Sequence, residues 1–155
     1  MAFKVFISHS TSDKDLVDLL RAVLERIGIQ TIVAMDELQP GNRLTSKVEK
    51  LMDESDCVVV LMTRHGTRSQ WVQNEVGIAV GKEKPIVPLV EKGVQVGGIL
   101  HDLEYIEFDR QNPNSAIVKT ASFLQKLAAK KSQEENLLLG LGGLLIFLLL
   151  LGRAE

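Results

Sequence analysis

Cys57-Val58-Val59-Val60-Leu61-Met62 is an unbroken apolar run, half of it valine, in the middle of a chain punctuated elsewhere by charge. A run of this length and β-branched content is a strand covered on both faces, as the central strand of a parallel sheet is. Downstream, Thr63-Arg64-His65-Gly66-Thr67-Arg68 is a polar loop and Ser69 is placed to cap a helix. Trp71, Glu75, Ile78 and Ala79 recur at helical spacing, and Gly81 and Lys82 end that helix with a cation near its negative pole. Upstream, Leu44, Val48, Leu51 and Met52 mark a second amphipathic helix.

The same pattern extends to both sides. Phe3 to Ile7 reads as a strand ending in the small polar cluster Ser8-His9-Ser10-Thr11-Ser12. From Asp13 to Ile27, Leu16, Leu19, Leu20, Val23, Leu24 and Ile27 form one helical face, with Gly28 as its cap. Ile29 to Val33 is a second strand, followed by the excursion Asp36-Glu37-Leu38-Gln39-Pro40-Gly41-Asn42, whose Pro-Gly pair sets a turn. Pro85 to Val90 reads as a fourth strand, placed by its two prolines nearer a sheet edge than the centre. Tyr105 to Phe108 is a short fifth, and Asn114 to Ala129 returns to helix. Strands alternating with helices predict an α/β domain, a parallel sheet with helices on both faces and ligand sites beyond the carboxyl ends of the strands. Ser8, His9 and Ser10, the Asp36 excursion and the loop before Trp71 all fall on that rim.

Composition narrows the functions available. A chain of 155 residues, 45% hydrophobic and 25% charged, builds one well-buried domain. A net charge of −2 without a basic block argues against nucleic acid as partner. Cys57, the single cysteine, forms no internal bridge, and three scattered histidines make no zinc set, so neither a metal nor a cofactor is expected. The head of the chain lacks the apolar core of a signal peptide and reads as cytosolic.

The tail differs in kind. After Lys130 to Asn136, Leu137 to Gly152 is sixteen residues without a charge, about 24 Å as a helix and short of what a bilayer usually requires. Leucine on every side and Gly140, Gly142 and Gly143 suit lipid, and Lys126, Lys130 and Lys131 suit a domain held on the cytoplasmic side. The expected organisation is a domain over residues 1–130, a linker over 131–136, and a single-pass C-terminal membrane anchor over 137–152.

Trp71 and Glu75 lie four residues apart and share a helical face, so that an aromatic plane and a carboxylate look into one space. Such a pair holds a cationic, ring-bearing substrate; on spacing alone, a core tryptophan beside a solvated glutamate is the simpler reading. Context changes that balance. Phe6-Ile7-Ser8-His9-Ser10, the excursion Asp36 to Gly41, and Trp71 with Glu75, in this order and spacing, resemble the Toll/interleukin-1 receptor (TIR) domains, prokaryotic ones in particular, from about Phe3 to Leu127. The resemblance implies a flavodoxin-like fold with a central five-stranded parallel sheet flanked by helices. For members with the glutamate it implies cleavage of NAD+ at the nicotinamide-ribose bond, giving ADP-ribose or a cyclic isomer, in prokaryotic antiphage defence. Glu75 is then the catalytic residue and NAD+ the substrate. Trp71 is expected to stack on a ring, Phe6 to pack near nicotinamide, and Ser8, His9 and Ser10 to meet ribose or phosphate. Asp36 and Leu38 are expected to close over the substrate or contact a neighbouring protomer; Arg64 and Arg68 could pair with pyrophosphate, but solvated loop residues are the simpler reading for both.

The chemistry stands without the family. Nicotinamide leaves NAD+ as a neutral base, so no general acid is required, and one carboxylate suffices to stabilise an oxocarbenium-like transition state. Other sheet-based readings fail on their own residues. A receiver domain shares the architecture, and Lys84-Pro85 suits it, but the strand ends Ser8-His9 and Met62-Thr63 lack its magnesium-binding acids. Neither GxGxxG after the first strand nor GxxxxGK[ST] is present to cradle phosphates. The rival is a non-catalytic adaptor that signals through homotypic TIR contacts; a hybrid is an enzyme active only as a homo-oligomer, concentrated by its tail.

Overall fold

A computed structural model of the chain describes residues 2–34, 40, 41 and 43–151. The strands are β1 (Lys4–Ser8), β2 (Gln30–Ile32), β3 (Cys57–Met62), β4 (Ile86–Glu91) and β5 (Ile106–Phe108); the helices are α1 (Lys14–Arg26), α2 (Leu44–Asp53), α3 (Gln70–Gly81) and α4 (Asn114–Leu151). The strands form one sheet in the order β2-β1-β3-β4-β5, and every pairing is parallel. β3 lies at the centre with all six residues buried, as its apolar run requires.

α1 and α2 bury most of the face their spacing marks, Leu16, Leu20 and Leu24 on one and Val48, Leu51 and Met52 on the other, while Leu19, Ile27 and Leu44 stay exposed; α3 buries Val72 and Val76 along with Glu75 and Ala79, and Trp71 and Ile78 are only partly covered. Ser69 caps α3, its hydroxyl accepting from the Val72 amide at 3.3 Å. Gly28, at φ +83°, turns the chain out of α1 in a conformation that favours glycine.

Two expectations need correction. β4 is no nearer an edge than the centre: it pairs with the central β3 on one side and the edge strand β5 on the other. The Pro85 carbonyl accepts from Val58 on β3, so by the period of two Pro88 turns its nitrogen toward β5, whose ladder begins only at Leu89. The missing N–H of Pro88 therefore falls where no partner waits, and the proline is tolerated inside the sheet.

The second correction concerns the tail. The chain divides into two compact units, Met1–Ala121 and Ser122–Glu155. α4 runs unbroken through 131–136, expected as a linker, with Lys131 and Glu135 paired across one turn at 3.6 Å. Among the described residues no helix is long and apolar enough to cross a membrane, so the anchor expected over 137–152 is not supported. The uncharged run is sixteen residues, below the roughly 20 that a bilayer's hydrocarbon core calls for. In that second unit Leu137, Leu138, Leu139, Leu141, Leu144, Leu145, Leu148 and Leu149 are exposed.

Candidate active site

The strand order reverses between β1 and β3, and a parallel sheet opens a crevice beyond the carboxyl ends of its strands at such a reversal. β1 delivers Ser8 to that point as its last residue, and the chain leaving β3 enters α3, whose second turn carries Glu75. Glu75 is 2% exposed, an unusual place for a carboxyl group on an otherwise apolar helix face. Its Oε2 accepts a hydrogen bond from the Ser8 hydroxyl, itself fully buried. Trp71, one turn earlier, lines the same cleft beside the carboxyl group. Burial pushes the Glu75 carboxyl up from an ordinary 4.5 to about 7, outweighing the Ser8 hydrogen bond and the neighbouring Trp71, which favour the ionised form. A carboxyl group balanced near neutrality, in a cleft, with a buried hydroxyl donor, is what acid–base or electrostatic catalysis asks for.

The cleft lies between α2 and α3 and holds about 680 Å³, enough for a nucleotide-sized ligand. Leu44, Thr45 and Val48 form one wall, Trp71, Glu75 and Ile78 the other. A second hollow, about 500 Å³, is lined by Lys4, Gln30 and Glu54 at the amino ends of β1 and β2, away from the rim where Ser8 and Glu75 meet.

The structure brings together three of the residues singled out from the sequence: Glu75, Trp71 and Ser8. Ser8, expected to meet a ribose or phosphate, instead spends its hydroxyl on Glu75. Ser10 caps the turn Thr11–Asp13, its side chain accepting from the Ser12 amide at 3.3 Å. His9 is buried beside it at 6% exposure. Phe6 is fully buried in the core cluster with Val58, Met62 and Val72. Asp36 and Leu38 lie outside the described residues. Arg64 donates its backbone amide to Glu91 Oε2 at 3.1 Å. Among the described residues, no group of three or more His, Cys, Asp or Glu side chains is placed to hold a metal ion.

A second polar cluster on the same rim escaped the sequence reading. Asp13, fully buried, accepts from Thr63 Oγ1 and from Arg110 Nη2, each at 2.6 Å. Arg110 Nε also donates to Glu91 Oε1 at 3.1 Å. Burial would raise the Glu91 carboxyl, but the bonds from Arg110 and the Arg64 amide hold it below the usual range. These residues are up to 97 positions apart in the chain, beyond the reach of periodicity. The available signal was position: Thr63, Glu91 and Arg110 stand at or just past the ends of β3, β4 and β5.

The comparisons with known proteins agree with this fold. The chain's fold is similar to the TIR domain of a Toll-related receptor from Hydra magnipapillata, at 20% identity and a TM-score of 0.64 over 75% of this chain and 92% of that one. It is similar also to a metazoan TIR-STING receptor from C. gigas in complex with 2',3'-cGAMP, at 22% identity and a TM-score of 0.63, over 76% of this chain and 39% of the receptor. A CMP N-glycosidase from Clostridium botulinum aligns at 18% identity and a TM-score of 0.54, over 81% and 98% of the two chains. No curated protein matches the chain. The family described as the TIR domain matches residues 5–121, from β1 into α4. The chain belongs to the TIR domain family.

Proposed function

We propose that the domain is an NAD+ glycohydrolase or ADP-ribosyl cyclase, with Glu75 as the catalytic residue. The observation that carries this reading is a buried carboxyl group, bonded by Ser8 at the sheet's topological switch point and standing with Trp71 on the wall of a nucleotide-sized cleft between α2 and α3. The fold likeness to an N-glycosidase is consistent with the scaffold accommodating cleavage of such bonds.

In the reaction the bond between the ribose C1' and the pyridinium nitrogen breaks, and its electron pair leaves with nicotinamide, which thereby becomes neutral. Positive charge develops on the ribose, where ionised Glu75 stabilises it in a site that excludes water. Approach of a cationic ring favours the ionised carboxylate, so substrate binding itself draws off the proton. Trp71 offers a ring face to the pyridinium while it remains charged. Attack of water on C1' gives ADP-ribose and releases one proton; attack by an acceptor within the same molecule gives a cyclic isomer. We place this activity in the cytoplasm, which suits a free, buried Cys57, and assign it to antiphage defence on the family resemblance. Self-association of TIR domains, aided by the exposed leucines of the second unit, would raise the activity.

The rival reading is an adaptor acting through homotypic TIR contacts. One observation favours it: at 2% exposure Glu75 meets a substrate only if the cleft yields slightly. Incubation with NAD+ at high protein density, followed by identification of nicotinamide and its partner product, separates the two. The wild type releases nicotinamide and Glu75→Ala does not; equal release by both, or by neither, removes the enzyme reading.

A further inference from the structure

We propose that Arg110 is a positioning residue for Glu75, acting through Asp13 and Thr63 to hold the two loops on which the Ser8–Glu75 contact depends. This rests on the catalytic reading of Glu75, and its test is separable from that reading.

Two loops adjoin the Ser8–Glu75 contact. Ser8 ends β1 and is continuous with the loop 9–13; Glu75 sits on α3, which is entered from the loop 63–69. Ser8 is held by its pairing with Val60 and α3 by its buried face, and the two loops set how the strand end and the start of the helix meet. Asp13 lies at the end of the first loop, its amide bonded to the Ser10 carbonyl at 2.9 Å. Thr63 begins the second, and its Oγ1 accepts the amides of His65 at 3.2 Å and Gly66 at 2.8 Å while donating to Asp13. One hydroxyl thus folds the second loop and ties it to the first.

Arg110 closes the arrangement from beyond β5. Its guanidinium spans Asp13 and Glu91, and the other oxygen of Glu91 accepts the Arg64 amide, a second hold on the loop before α3. Every carboxylate oxygen of Asp13 and Glu91 has a partner, the condition under which a buried ionic group fixes geometry. A surface ion pair serving stability alone would not converge on both loops of one site. Lysine is no substitute, because a single ammonium lacks the planar fork that reaches two carboxylates in fixed directions.

Among the described residues, the groups facing the Glu75 carboxyl are Ser8 from β1 and Trp71 from its own helix, and no charged side chain acts on it directly. His9, next to Ser8, and Asp13 are the other titratable groups on the first loop. Arg110 is thus expected to influence Glu75 through the loops.

The test uses the full chain and four variants: Arg110→Lys, Arg110→Gln, Thr63→Val and Thr63→Ser. Two readouts are taken, NMR titration of the Glu75 carboxyl and the pH profile of nicotinamide release from NAD+. Positioning predicts that Arg110→Lys, with charge retained, loosens the Ser8 bond, raises the Glu75 midpoint and lowers kcat about tenfold with KM little changed. Arg110→Gln and Thr63→Val follow the same course, and Thr63→Ser restores wild-type values. A folded Arg110→Lys that titrates Glu75 and turns over as the wild type does overturns the proposal, as does Thr63→Ser failing where Thr63→Val fails. Thr63→Val is the variant most exposed to misfolding; Arg110, with a side chain 35% exposed, keeps the test standing. A wild type that releases no nicotinamide refutes the catalytic reading instead, and leaves the NMR titration as the test of positioning.

Discussion

Replacing Glu75 with glutamine should stabilise the protein, and by an amount that depends on pH. The folded-state carboxyl is raised from 4.5 to about 7, chiefly by burial. Below pH 4.5 both folded and unfolded chains hold the proton, and Glu75 carries no ionisation cost. Between 4.5 and 7 the unfolded chain releases its proton while the folded one keeps it, so folding stability falls as pH rises. Above about 7 both are ionised and the full cost stands. At about 1.4 kcal/mol per pH unit the span amounts to about 3 kcal/mol. Glutamine is nearly isosteric, never ionises, and offers Ser8 an amide oxygen in place of Oε2. Glu75→Gln should therefore match the wild type near pH 4.5 and exceed it by about 3 kcal/mol at pH 8. At roughly 2–4 °C per kcal/mol for a chain of this size, that is a Tm gap near 10 °C. Urea or thermal unfolding of both proteins across pH 4.5–8.5 reads it directly, because every other titrating group cancels in the difference. A gap that does not change with pH would refute a buried, proton-retaining Glu75.

Ser8→Ala removes the hydroxyl donor to Glu75, so the carboxyl should titrate higher still and nicotinamide release at neutral pH should fall about tenfold, read by pH-rate profiles. Gly66→Ala should lower stability by about 1–3 kcal/mol, seen in thermal unfolding, because a Cβ there collides with the Leu61 carbonyl oxygen. Cys57 is fully buried and its thiol is pushed up to about 12 by desolvation, so the native protein should resist thiol reagents at pH 8 and react only when unfolded.

What the sequence carries most clearly is one-dimensional. The run from Cys57 to Met62 is legible as the central strand because both faces of that strand are covered, leaving no polar side to alternate. α1 and α2 follow from leucine, valine and methionine spacing, and the Ser69 cap from its place before Trp71. Pro88 misled because the rule against proline inside a sheet concerns which way its nitrogen faces, and that depends on where a neighbouring strand begins. Along the tail, leucine on every side suits lipid, while the uncharged run is shorter than a bilayer usually requires. At the site, Glu75 and Trp71 were legible as a pair because four residues is one helical turn. The Ser8 contact was not, since it joins residues 67 positions apart, and neither was the cluster of Asp13, Thr63, Glu91 and Arg110. Contacts made by strand ends meeting across a sheet leave no period in the chain.

The most direct measurement of the central claim is nicotinamide release from NAD+ as a function of pH, for the wild type and for Glu75→Gln at equal density. Ionised Glu75 as the working group predicts that kcat/KM of the wild type climbs through a midpoint near pH 7 and that Glu75→Gln, folded and more stable, releases nothing above background. A glutamine variant that turns over with the wild-type profile would contradict the account.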